Sequence, residues 1–282
     1  MDAVIISDLH LGSKNCQAKM VISFLEDILS GKIVSRRLII NGDVFDSIDF
    51  RRLKKTHWKV LSMIRHLSDK MEVIWTCGNH DGPAEIISHL LGVQVRNEYI
   101  FTSANRRMLV LHGHIFDDFI DDHPIITWIG DAIYNTLQRL DRRHYIARLA
   151  KARSKVFLHC LEKVQHRSIA YARRLKCEVV ICGHTHHCAA AGEQGIEYFN
   201  SGCWTELPPT WLAVDAGNVA ICRYDIECVA SVSTTTQMDH TVKSSGNIAT
   251  RYRQWRTSVT DTIASEVGGG DNWAHEVTST GI

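Results

Sequence analysis

Val73-Ile74-Trp75-Thr76-Cys77-Gly78-Asn79-His80-Asp81-Gly82 is the stretch on which the reading of this chain turns. Its first half is β-branched and aromatic, the composition of a buried strand. Gly78 stops the run, and three side chains rich in donors and acceptors follow at once. Four other places repeat that grammar. The run 4–7 leads into Asp8-Leu9-His10, and the run 38–40 into Asn41-Gly42-Asp43-Val44-Phe45-Asp46. The run 108–111 leads into His112-Gly113-His114, and the run 179–182 into Gly183-His184-Thr185-His186. Five buried strands, each ending in His, Asp or Asn, predict one polar rim.

The rest of the chain frames that rim. A length of 282 residues allows a large core without disulfide staples. A net charge of +1 names no class of partner for the chain as a whole. Nine cysteines lie scattered without C-x-x-C spacing, which excludes a disulfide framework and a zinc ribbon and predicts reduced thiols. The first strand-like run begins at residue 3, and no apolar run reaches the ~20 residues that span a bilayer. A cytoplasmic protein is expected, with peripheral contact to the membrane as the one membrane role left open.

Read in order, apolar residues of 18–29 recur at helical spacing, as do those of 51–69, and each segment separates two strand-like runs. The opening order βαβαβ favours parallel pairing with helices on the faces. Open α/β sheets place their sites beyond the carboxyl ends of the strands, where the polar residues occur here. A short helix near residue 84–91 and strands near 93–95, 99–102 and 108–111 follow. Residues 124–175 then read as almost continuous helix. Between Arg139 and Lys176 twelve Lys or Arg face only Asp141 and Glu162. A solvated helical pair accounts for such a run, and so does a cap that holds an anion or meets a membrane surface. Strand-like segments close around Ala216-Gly217-Asn218. From 229 the composition turns to Ser and Thr, with Gly268, Gly269 and Gly270 in a row, and a disordered tail is expected. The expected domains are thus a catalytic unit over 1–228, carrying a basic helical insertion at 116–176, and the tail 229–282.

The rim has the chemistry of a dinuclear metal centre. His, Asp and Asn donors from several segments, with no cysteine among them, suit borderline-to-hard divalent ions such as manganese, iron or zinc. Together, Asp8-x-His10, Gly42-Asp43-x-x-Asp46, Gly78-Asn79-His80-Asp81, His112 and Gly183-His184-x-His186 resemble the calcineurin-like metallophosphoesterase superfamily over residues 3–225. The resemblance implies an α/β fold, a four-layer αββα sandwich with a helical cap insertion. It implies that Asp8, His10 and His186 hold one metal, that Asn79, His112 and His184 hold the other, and that Asp43 bridges them. It also makes His80 the histidine beside the phosphate that assists the leaving group, with Asp81 orienting it. Asp46 is read as a supporting or turn-capping residue. Two cations sharing a hydroxide could then attack a phosphoryl centre in line.

Within the superfamily, Ser7-Asp8-Leu9-His10-Leu11, Gly42-Asp43-Val44-Phe45-Asp46, His112-Gly113 and Ser201-Gly202-Cys203-Trp204 look like the UDP-2,3-diacylglucosamine pyrophosphatase branch. That branch often has Arg where His80 stands and Asp where His114 stands. The resemblance implies a nucleotide-linked lipid substrate, a cap that holds acyl chains, and contact with the inner membrane surface. Arg139, Arg142, Arg143 and Arg148 become candidates for substrate phosphates. Nuclease or phosphomonoesterase activity is the alternative. Nucleic acid is the weaker partner, because only Tyr145, Phe157 and Tyr171 stand in the basic stretch to stack on bases.

Overall fold

Alternation along the buried strands separates three cores. Strands β1 (Ala3–Ile6), β2 (Arg37–Asn41) and β3 (Glu72–Thr76) are buried almost throughout. On one face Val4, Ile6, Leu38, Ile40, Val73 and Trp75 meet the apolar sides of helices α1 (Ala18–Leu29) and α2 (Lys55–Ser68). On the other, Ala3, Ile5, Ile39 and Ile74 pack against a second sheet. Strands covered on both faces carry apolar residues at every position, which is why these read as continuous runs. Each isoleucine so enclosed contributes about 1.5–3 kcal/mol.

The computed structural model describes residues 1–82, 88, 89, 91–117 and 155–224. The further strands are β4 (Gln94–Arg96), β5 (Glu98–Ser103), β6 (Arg106–Leu111), β7 (Val179–Cys182), β8 (Ala189–Glu193), β9 (Ile196–Asn200), β10 (Thr210–Asp215) and β11 (Asn218–Arg223). The first sheet runs β11-β10-β1-β2-β3-β4, and the second runs β5-β6-β7-β9-β8. Strands β1 to β4 are parallel, as are β6, β7 and β9, while β10, β5 and β8 pair antiparallel with their neighbours. The outer face of the second sheet, with Leu109, Leu111, Val180, Cys182 and Tyr198, is covered by helix α3 (Lys155–Arg174) through Val164, Ile169 and Ala172. Helix, sheet, sheet and helix make the αββα sandwich.

Two expectations change. Helix α3 falls inside the segment 116–176 assigned to a cap, yet its apolar side is buried against the second sheet, so this part is a wall of the sandwich. Strand β8 was not anticipated, because Ala189-Ala190-Ala191-Gly192 has low strand propensity. It forms by pairing with β9 through the two-residue turn Gln194-Gly195, both with positive φ, which suits a hairpin's twist. Residues 118–154 of the expected cap and the tail lie outside the described residues. Among the described residues no helix is long and apolar enough to cross a membrane.

Asn41, the last residue of β2, ties the sheets together directly below the rim. Its amide donates to the carbonyls of Leu111 (3.1 Å) and Ile181 (3.5 Å), and its Oδ1 accepts from the Thr76 hydroxyl (2.6 Å). Asn41→Ala strands several of these buried groups at about 1–3 kcal/mol each, so unfolding free energy should fall by about 2–4 kcal/mol. A denaturant midpoint equal to that of the unsubstituted protein would show that the tie is dispensable.

Candidate metal centre

The strands deliver their ends to one edge, and the backbone turns there in a way that side chains resist. Asp8 (φ 54°), His10 (46°), Asp43 (51°), His184 (67°) and His186 (54°) all occupy the left-handed region. Outside glycine that conformation costs about 1–2 kcal/mol per residue. The other non-glycine cases among the described residues have local explanations. Ala104, Asn105, Gln194 and Ala216 lie in two-residue hairpin turns, and Lys176 follows the end of α3. The remaining five are all among the seven expected ligands, which marks the rim as a place where strain is held for function.

Neighbouring backbone holds that geometry. Beyond the formal ends of β1 and β2, the amides of Asp8, His10 and Leu11 donate to the carbonyls of Gly42, Asp43 and Val44 (2.7–3.0 Å). A Cβ on Gly42 would strike the His112 ring, one on Gly78 would strike Asp43, and one on Gly183 would strike Asp8 and Ser7. These glycines let the chain pass directly against the polar side chains.

The donor atoms converge in two groups, Asp8 with His10 and His186, and Asp43 with His112 and His184. In the first, Asp8 Oδ1 lies 3.2 Å from His186 Nε2, and His10 Nε2 lies 3.0 Å from the same nitrogen. In the second, Asp43 Oδ2 lies 3.2 Å from His112 Nε2. The same oxygen is 3.7 Å from His10 Nε2, so it stands between the groups. Its partner Oδ1 accepts from the His80 amide (2.9 Å). His10, Asp43 and His80 form a third overlapping triad.

Asp8 and Asp43 are buried, and neither has a Lys or Arg ion pair among the described residues. Imidazoles supply the compensating charge. Burial would raise the Asp43 carboxyl, but His112 and His10 hold it well below the usual carboxylate range. Burial likewise opposes a charged His112, yet Asp43 and Asp8 hold it at about 9. Burial and the adjacent His186 push His10 down to about 3.

Asp8 Oδ1 and His112 Nε2 are buried, and their 3.2 Å contacts with His186 and Asp43 lack hydrogen-bond geometry. A buried polar atom left so costs about 1–3 kcal/mol. Both belong to the groups of N and O donors, and divalent cations would satisfy them while supplying positive charge in place of the protonated imidazoles. The residues therefore fit a metal.

The sequence profile of the calcineurin-like phosphoesterases matches residues 1–188. The chain belongs to this family. Among solved structures, it resembles Yfce, a phosphoesterase from E. coli, at 17% identity over 79% of this chain and 98% of that one, with a TM-score of 0.44. It also resembles an archaeal phosphodiesterase (15% identity, 79% and 100% covered, TM-score 0.43) and zinc-complexed Vps29 from Entamoeba histolytica (16%, 80% and 99%, 0.41). No curated protein matches.

Within this phosphoesterase rim, His80 is exposed, and its Nδ1 lies 3.0 Å from the Asp46 carbonyl oxygen. Asn79 is exposed beside it. Asp46 stands behind the ligands, its Oδ1 3.7 Å from His10 Nδ1 and its Oδ2 paired with Arg52. Arg139, Arg142, Arg143 and Arg148 lie outside the described residues. His114, expected on the rim, has a buried Nδ1 without a hydrogen-bond partner beside His112 and His184. One residue near the site was missed, Asp117, which contacts His184. The only sequence signal for Asp117 is an acid five residues beyond His112.

The role expected of Asp81 needs correction. Its Oδ1 accepts from the amides of Val44 (2.8 Å) and Phe45 (3.1 Å), and its Oδ2 from the Gly78 amide (3.0 Å) and Trp75 Nε1 (3.1 Å). It pins the β2 and β3 loops to each other, and the Asp46 carbonyl, not Asp81, meets the His80 ring. Burial, reinforced by Asp43, raises its carboxyl, while those donors favour the charged form. Hydrogen bonds to a charged acceptor contribute about 1.5–3 kcal/mol each, so Asp81→Ala should lower unfolding free energy by at least about 3 kcal/mol. Lost turnover with unchanged unfolding would instead restore the orienting role.

Proposed function

We propose that this chain hydrolyses a phosphodiester or pyrophosphate bond with two divalent cations, manganese first and iron or zinc as alternatives. The observation that carries this reading is the place of Asp43 Oδ2, 3.7 Å from His10 Nε2 and 3.2 Å from His112 Nε2. One carboxylate reaches both donor groups. In this reading Asp8, His10 and His186 hold one ion, Asn79, His112 and His184 the other, and Asp43 both. Such ions, when bound, lower the pKa of water and neutralise phosphoryl charge.

The chain's own contribution is placement and proton transfer. A carbonyl only accepts, so the Asp46 contact keeps a proton on His80 Nδ1 and leaves Nε2 for the substrate. From the rim, protonated His80 can pass the Nε2 proton to a departing oxygen. The lipid reading, UDP-2,3-diacylglucosamine cleaved to UMP and the lipid monophosphate, is supported by the branch-like motifs at residues 7–11, 42–46, 112–113 and 201–204. Exposed Ile48 and Ile115 support it too, for they follow Asp46 and His114 closely and offer apolar contacts. Basic residues of the insertion would serve the pyrophosphate or an anionic membrane surface.

The test pairs chemistry with metal content. The manganese-loaded protein is incubated with UDP-2,3-diacylglucosamine and the products are followed by mass spectrometry, with UMP and the lipid monophosphate expected. His80→Ala should lower turnover by about 10²-fold or more and keep both ions. Asp43→Ala should lose metal and turnover together. Equal metal loss in the two variants would contradict the roles assigned. An intact lipid substrate alongside hydrolysis of an aryl phosphodiester would remove the lipid reading and keep the phosphodiesterase.

A further inference from the structure

We propose that Asp117 is a positioning residue that sets the tautomer of His184 and aims its Nδ1 at the metal, and that Cys160 couples this contact to helix α3. The proposal rests on the metal reading above. His184 Nε2 lies 3.0 Å from Asp117 Oδ2, and both side chains are almost fully enclosed, 7% and 5% exposed. A carboxylate accepts, so the proton of neutral His184 sits on Nε2 and Nδ1 carries the lone pair. The His184 amide donates to Asp8 Oδ2 (3.1 Å), so ring and backbone are held from two sides.

His112, in the same donor group, is set the opposite way. Its Nδ1 donates to the Asn41 carbonyl (2.8 Å), which leaves Nε2 as the free donor atom. One metal would thus receive Nε2 from His112 and Nδ1 from His184. Two different outer partners, a strand carbonyl and Asp117, choose the nitrogens. Such partners fix ring orientation and raise ligand basicity, and their loss costs about 10–100-fold in metal affinity.

Asp117 is itself anchored to the far wall of the sandwich. It closes the short 3₁₀ turn His114–Phe116, and its Oδ2 accepts from Cys160 Sγ (3.1 Å) on α3. About two turns further along that helix, Arg167 Nη1 donates to the Phe116 carbonyl (3.2 Å). Helix α3 is the segment by which the chain returns from the basic insertion. A shift of α3 would therefore reach His184 through Cys160 and Asp117.

The test uses ¹⁵N-histidine NMR and zinc, a diamagnetic probe. In the unsubstituted protein, the His184 signal, assigned by its loss in His184→Gln, should report a proton on Nε2 before zinc is added and zinc at Nδ1 afterwards. Chelator competition should give two zinc sites, with Asp117→Ala weakening one about 10–100-fold and sparing the other. Asp117→Asn preserves volume and an acceptor, so it should fold and show a smaller loss at that site. Cys160→Ala should weaken the same site by less than Asp117→Ala. A proton on Nδ1 of His184, or unchanged affinity at both sites in folded Asp117→Asn and Asp117→Ala, would overturn the proposal. Absence of zinc binding by the unsubstituted protein would instead sink the metal reading, and the zinc-free tautomer still decides what Asp117 does.

Discussion

Every feature of the rim depends on a backbone that turns left-handed at five residues which are not glycine. Asp8, His10, Asp43, His184 and His186 carry positive φ at the carboxyl ends of parallel strands. Each turn costs on the order of 1 kcal/mol or more, and the cost is met by neighbours that leave no easier path. The amides of Asp8, His10 and Leu11 find carbonyls on the loop after β2, and Gly42, Gly78 and Gly183 give the room a Cβ would deny. The Asp81 carboxylate, meeting four donors, locks the loops after β2 and β3 to each other.

That turning brings charge together under cover. Asp8 and Asp43 are enclosed among imidazoles, with no Lys or Arg ion pair among the described residues. Burying a carboxylate this way is expensive without a compensating cation. Protonated imidazole is a partial answer, visible in the raised pKa of His112 and the depressed one of Asp43. Divalent ions would answer it fully and would also satisfy the orphaned Asp8 Oδ1 and His112 Nε2. Electrostatics and hydrogen bonding thus lead to the same chemistry by separate routes.

The sandwich supplies the stiffness that such a site needs. Asn41 joins β2 to β6 and β7 below it, and the Asn41 carbonyl orients His112. Helix α3 covers the second sheet and reaches the turn after β6 through Cys160 and Arg167. Both walls of the fold therefore bear on the same few donor atoms.

The sequence alone determined the five strands that end in the rim, their order along the chain and the residue types upon that rim. Continuous apolar runs such as 73–76 can only be strands or helices enclosed on all sides, and the polar breaks at their ends recur too regularly for turns of no consequence. Local pattern could not settle which atom of a residue meets which partner. Asp81 follows His80 directly, yet its carboxylate turns to the amides of Val44 and Phe45, on the loop after the neighbouring strand β2. Residues near 155–174 read as a basic helix wherever they pack, and only the exposed face of the second sheet made that helix a wall. Strand β8 exists because β9 lies beside it. Asp117 meets His184 across 67 positions of chain. Contacts of that kind belong to the tertiary structure, since they depend on how two sheets are stacked and not on any periodicity along the chain.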